Sequence, residues 1–205
     1  MKVFIALLLL LSLALSSTFE ELQKKLAGVK TVKVLFIQKT HYSWYPKPEL
    51  SKGVFYAASD GRFRIDYTYP DDVVIVSDGA EIIIYNREEK EALIDSVKNN
   101  TSPVIESLFF FSRPLSDVFE LAGEIKREGR IVLILKPKKE DENIHEVYVE
   151  LGSDLEIRSV EVVDKEDTRT LIEFIEVRKN YLPSQDLFRI TLPSGVRVRR
   201  AESLR

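Results

Sequence analysis

The stretch 53–85, GVFYAASDGRFRIDYTYPDDVVIVSDGAEIIIY, constrains the fold more than any other part of this chain. Residues 54–58 are apolar and aromatic, and Ser59-Asp60-Gly61 supplies residue types that a tight turn tolerates. From Arg62 the residues alternate. Phe63, Ile65, Tyr67 and Tyr69 share one face; Arg62, Arg64, Asp66 and Thr68 share the other. A side-chain period of two belongs to a strand with one face turned from water. Pro70-Asp71-Asp72 turns the chain into a strand at 73–76, and Ser77-Asp78-Gly79 turns it again into 82–85. The pattern predicts an antiparallel meander with one strongly apolar, aromatic face.

The flanking sequence extends that sheet. Thr18 is the predicted N-cap of an amphipathic helix with Phe19, Leu22 and Leu26 on one face, ended by Gly28. Residues 32–38 are apolar on both sides through Val32, Val34, Leu35, Phe36 and Ile37, which predicts a strand buried on both faces. Residues 41–50 read as a loop rich in aromatics and proline, with Tyr42, Tyr45 and the only tryptophan, Trp44; it either packs over a barrel end or touches a partner. Ser102-Pro103 opens a helix predicted to run to Ser112. Its Phe109, Phe110 and Phe111 cannot all face one core, because successive helical residues are about 100° apart. Strands are predicted at 88–97, 118–125, 130–136, 145–151, 155–164, 169–178, 186–192 and 196–198. About eleven antiparallel strands with two or three helices give a mainly β (α+β) chain, an incomplete barrel wrapped around those helices.

The first sixteen residues read as an address. Met1-Lys2 is followed by an apolar run and small residues, so a secretory signal peptide at 1–16 with cleavage near Ser16-Ser17 is expected, leaving one domain at 17–205. The run is shorter than the roughly 20 residues of a membrane-spanning helix. The chain has no cysteine, so neither a lipid-bearing cysteine nor a disulfide is available. A formal net charge of −3 lacks the basic footprint of a nucleic-acid partner. The two histidines, His41 and His145, stand in no metal-binding spacing, and no Gly-x-Ser-x-Gly elbow or glycine-rich phosphate loop occurs. No cofactor and no catalytic constellation are expected.

What is left is an apolar surplus. Phe36, Phe55, Phe63, Ile65, Tyr67 and Ile84, with the phenylalanine-rich helix, would line a concave greasy interior. The meander also resembles the LolA family, periplasmic carriers of outer-membrane lipoproteins. The resemblance rests on Gly53 opening a strand, Phe63 on an aromatic strand, Tyr67-x-x-Pro70, then Val76-Ser77-Asp78-Gly79 and a strand ending at Tyr85. Looser matches are Phe36-x-Gln38, Leu135-x-Pro137-Lys138 and Phe188 through Pro193-x-Gly195-Val196. The resemblance implies a monomeric carrier without enzymatic activity. It would shield lipoprotein acyl chains received from an inner-membrane lipoprotein-releasing ABC transporter and deliver them to an outer-membrane acceptor. It also implies that the 103–112 helix is a lid, with Ile105, Leu108 and Phe109 over the cavity. The family often has an Arg-Pro pair before the phenylalanine, and its arginine helps hold the lid. Ser59-Asp60 stand there here, so the lid is expected to be held by apolar contact, or by Arg62 or Arg64. A periplasmic lipid-binding sensor of envelope stress with a similar fold is the alternative.

Overall fold

A computed structural model describes residues 17–141 and 143–201. The expected signal peptide lies outside the described residues. Helix α1 (Thr18–Ala27) starts one residue earlier than the sequence suggests: Ser17 is the N-cap, and its Oγ accepts from the Glu20 N–H at 3.2 Å. The Thr18 hydroxyl instead donates to Glu124 at 2.7 Å, tying the helix to a distant strand. Acidic residues in the first turn and lysines in the last suit the helix dipole.

Among the described residues, twelve strands form one open, curled sheet. They are β1 (Thr31–His41), β2 (Glu49–Ala58), β3 (Phe63–Tyr69), β4 (Val73–Ser77), β5 (Glu81–Asn86), β6 (Glu91–Ser96), β7 (Phe119–Arg127), β8 (Arg130–Pro137), β9 (Ile144–Gly152), β10 (Ile157–Asp164), β11 (Arg169–Lys179) and β12 (Arg197–Arg200). The order is β12-β6-β5-β4-β3-β2-β1-β11-β10-β9-β8-β7. Every neighbouring pair is antiparallel except β12 on β6, which is parallel. Short helices α2 (Val97–Asn100), α3 (Pro103–Leu108) and α4 (Leu115–Val118) connect β6 to β7. The expected turns at Gly61 and Gly79 form, with φ of +89° and +96°, angles that a glycine adopts without strain.

Three expectations need correction. The strand at 186–192 does not form. The segment runs as turns, with Leu187 and Arg189 N–H groups bonded to Ser184 and Asp186 carbonyls. It covers the outer face of β3 instead: Arg64 Nη1 donates to the Leu187 carbonyl at 3.4 Å, and the Arg62 guanidinium lies 5.0 Å from the ring of the buried Phe188. The loop at 41–50 is shorter than predicted, because β1 runs out to His41 and β2 begins at Glu49. Nor is β1 buried on both faces: Val32, Val34 and Phe36 are buried, but Leu35 between them is 39% exposed. The sheet is covered on one side there, and the apolar residues 34–37 cannot by themselves report that.

The inner face carries two cores. One is aliphatic. Phe19, Leu22 and Leu26 of α1, with Val104, Leu108 and Leu115, pack on Leu133, Leu135, Val147, Val149, Leu151 and Val160 of β8–β10. The other is aromatic and lies over β1–β5, with Val34, Phe36, Phe55, Phe63, Ile82 and Phe110. Ile105, Phe109, Phe111 and Phe174 touch both.

Candidate functional site

The aromatic core is not filled. It encloses an apolar cavity of about 290 Å³. Strand register explains the lining. Val34 pairs with Phe55, Phe55 with Ile65, and Ile65 with Ile75, so one row of inward side chains crosses four strands. Phe36 and Ile172, Phe174 on β11 continue the wall on the other side. Gly53 stands between Phe36 and Tyr67 in the register. Without a side chain there, the two rings meet edge to face with centroids 5.7 Å apart. A Cβ on Gly53 would stand 2.5 Å from the Asp66 carbonyl oxygen and 3.0 Å from Phe36 Cζ, so this glycine is dictated by the packing.

Polar groups are few. The Tyr67 hydroxyl reaches Gln38 Oε1 at 3.5 Å, and burial raises its pKa. Asn100 and Thr101, also on the lining, turn their polar atoms to local partners: Asn100 Nδ2 donates to Asp95 at 2.8 Å and Thr101 Oγ1 to the Val97 carbonyl at 3.0 Å. The surface left to a guest is hydrocarbon and aromatic.

Five of the six strand residues singled out from the sequence, Phe36, Phe55, Phe63, Ile65 and Tyr67, line this cavity. Ile84 does not. It lies in the same inward row, paired with Ile75, but on β5 it is Ile82 that reaches the lining, and the row at Ile84 runs out toward the exposed Leu93.

The segment over the cavity differs from the expected helix. α3 ends at Leu108, and Phe109 is its C-cap. Phe111 takes φ +52°, the left-handed region that a bulky residue enters only under constraint. Leaving the helix resolves the three-phenylalanine problem. Phe110 stacks on Phe63 at 4.4 Å and on Phe55 at 6.3 Å, and Phe109 meets Phe55 edge-on at 6.3 Å. Phe111 instead faces a smaller hollow of about 150 Å³ beside Leu26 and Leu115. Of the three residues assigned to a lid, Ile105 and Phe109 line the cavity. Leu108 is buried in the aliphatic core instead. Phe110 is the plug residue that the helical reading missed. Pro114 bars a helix only from Arg113 onward, so nothing local marked the earlier end at Leu108.

Arg62 and Arg64 do not latch this plug: they pair with Asp60 at 2.8 Å and Asp66 at 2.8 Å. The ties are local. Arg113 Nε donates to Glu106 at 2.5 Å, Ser107 Oγ to the Arg113 carbonyl at 3.2 Å, and Ser112 Oγ to the Glu106 carbonyl at 3.2 Å.

A single curled sheet, more fully packed at one side and hollow under an aromatic plug at the other, defines a half-barrel protein with an internal apolar chamber. The sequence pattern described as "Outer membrane lipoprotein carrier protein LolA" matches residues 27–191, and the chain belongs to the LolA family. An outer-membrane lipoprotein carrier protein of Cupriavidus necator is 25% identical over 182 residues, covering 87% of this chain and 86% of that protein. One from Methylococcus capsulatus is 28% identical over 178 residues, covering 86% and 85%. Among solved structures, an uncharacterized conserved protein from Thermus thermophilus shares the fold, with a TM-score of 0.55 at 13% identity over 90% of this chain and 100% of that one.

Proposed function

We propose that this protein is a periplasmic lipoprotein carrier. It takes a lipoprotein from an inner-membrane ABC transporter, holds acyl chains in the cavity under the Phe109–Phe110 plug, and releases the cargo to an acceptor at the outer membrane. The mature carrier begins near Ser17, and it makes and breaks no covalent bond. The observation that carries this reading is an apolar, aromatic-walled chamber in a chain whose relatives are named as lipoprotein carriers. Each buried methylene is worth about 0.8 kcal/mol, so a dozen carbons give roughly 10 kcal/mol before ordering costs. With no charged clamp on the lining, binding follows area, and the cargo leaves for any site that offers more.

The test is a titration of the purified protein with a triacylated lipopeptide and with the same peptide lacking its acyl chains. Saturable binding of the first alone is expected. Equal binding of both, or of neither, would overturn the reading.

A further inference from the structure

The β1–β2 loop carries an exposed aromatic cluster that the cavity does not use. Tyr42, Trp44 and Tyr45 form a short ladder, with Trp44 5.3 Å from Tyr42 and 5.8 Å from Tyr45, centroid to centroid. Trp44 is 76% exposed and Tyr45 46%. The loop is braced rather than loose. The Tyr42 hydroxyl donates to Glu49 at 3.0 Å, the Tyr45 N–H to the Tyr42 carbonyl at 3.2 Å, and Ser43 Oγ to the Glu166 carbonyl at 3.2 Å; Pro46 and Pro48 stiffen the return.

We infer that this tip seats the protein on a lipid surface, with the Trp44 and Tyr45 rings at the head-group level. Three observations favour lipid over a protein partner. Each ring is amphipathic, an apolar body with one polar atom, which is the chemistry enriched at membrane–water interfaces. The cluster is a convex tip and not a groove. Three rings offer about 150–250 Å² each at most, below the roughly 800 Å² per partner of a stable protein interface. Residues 42–48 contain no carboxylate and one cation, Lys47, suited to lipid phosphate.

The position adds a consequence. β1 runs directly from the cavity-lining Gln38 to this tip. At about 3.3 Å per residue, Trp44 lies no more than about 20 Å from the Gln38–Tyr67 end of the chamber. A seated tip would bring that end toward the bilayer. The inference does not depend on which acyl cargo the cavity holds.

Trp44 is the only tryptophan, so its fluorescence reports the tip without ambiguity. Vesicles of phosphatidylethanolamine with phosphatidylglycerol should shift its emission to the blue, and brominated acyl chains in those vesicles should quench it. The double variant Trp44→Ser, Tyr45→Ser should lose at least about tenfold in vesicle co-flotation, while its binding of a fluorescent fatty acid stays as in the wild type. Emission that ignores vesicles overturns the inference. So does a blue shift without bromolipid quenching that grows with protein concentration, which would mean contact between copies of the chain. Flotation unchanged in the double variant overturns it as well.

Discussion

The two halves of the inner face are built from one sheet and end differently. Over β8–β10 the inward positions hold Leu and Val, and α1, α3 and α4 lower further aliphatic side chains onto them until Leu133, Leu135, Val147 and Leu151 are wholly buried. Over β1–β5 the inward positions hold Phe, Tyr and Ile beside the smaller Val32, Val34 and Ala57, and the Ile105–Phe110 corner reaches across together with Asn100 and Thr101. Branched aliphatic side chains interlock to interior density. Three helices cover the aliphatic half, whereas only the end of α2 and the Ile105–Phe110 corner roof the aromatic half, which leaves a gap that no neighbour fills. One half therefore supplies stability, and the other keeps a chamber open at the expense of the contacts that filling it would have provided.

The largest effect should come from the filled half. Leu133→Ala removes a fully buried side chain amid rigid neighbours. Such truncations cost about 2–5 kcal/mol. Urea denaturation should show that loss, with acyl binding per folded molecule unchanged. A cost under about 1 kcal/mol would mean that the aliphatic core is as loose as the aromatic one.

The mirror experiment fills the hollow. Ile65 lines the cavity and is only half-buried. Ile65→Trp should project its added ring into empty space, so the strain of overpacking, typically about 1–3 kcal/mol in a close-packed core, should be largely absent. Displacing even two or three methylenes of a guest would weaken binding by about 2 kcal/mol, or some thirtyfold. Fluorescent fatty-acid titration and thermal melts separate the two readouts. Loss of stability with full binding would reverse the comparison.

The contrast also shows what the sequence could disclose. Period-two alternation at 62–69 and the Asp-Gly turns identified the meander, and with it Phe63, Ile65 and Tyr67 on the lining. These are local signals. The opposite wall was invisible, because Ile172 and Phe174 reach the cavity only through the pairing of β11 with β1, across more than a hundred residues. The plug was half legible. Its composition gave it away, yet its geometry depends on a left-handed Phe111 that no propensity favours. Leu108 was misplaced for a different reason: it is helical in either reading, and only tertiary packing decides that its side of α3 meets the aliphatic core. The 186–192 segment failed differently. Its Phe188 is buried, and Leu187 is held at the outer face by Arg64, without the segment joining the ladder.

A smaller effect concerns the turn that holds β4 against β5 in the hollow half. Asp78 Oδ1 accepts from the Ala80 N–H at 2.9 Å and from Glu81 at 3.1 Å. Hydrogen bonds from those backbone groups, that from Ala80 foremost, hold its pKa below the usual carboxylate value. A carboxylate with a depressed folded pKa contributes stability above its unfolded value, about 3.9, and that contribution is lost as pH falls through the folded value. Asp78→Asn keeps an accepting oxygen and removes the charge. It should cost under about 1 kcal/mol at neutral pH and flatten the acid limb of the stability curve below about pH 4. An unchanged acid limb would place the acid sensitivity elsewhere.

The smallest effect should come from the ion pair at the plug, which joins the two halves. Two kinds of force hold it. Phe110 is buried between Phe63 and Phe55, and the Glu106–Arg113 pair closes the turn that follows α3. The stacked rings are buried. The Arg113 side chain is 54% exposed, and an exposed ion pair contributes about 0–1 kcal/mol and weakens with salt. The apolar contacts should therefore dominate. Hydrogen exchange at residues 109–112 should rise less than about fivefold in Glu106→Gln, or on moving from low to high salt, since 1 kcal/mol is a factor of about five. Phe110→Ala should raise it far more, and an acyl ligand, which must displace the Phe109 and Phe110 rings to enter fully, should change it too. A rise beyond tenfold with Glu106→Gln alone would mean that charge holds the plug. The boundary between the filled and hollow halves would then be set by one surface ion pair, and ionic strength would govern the opening of the chamber.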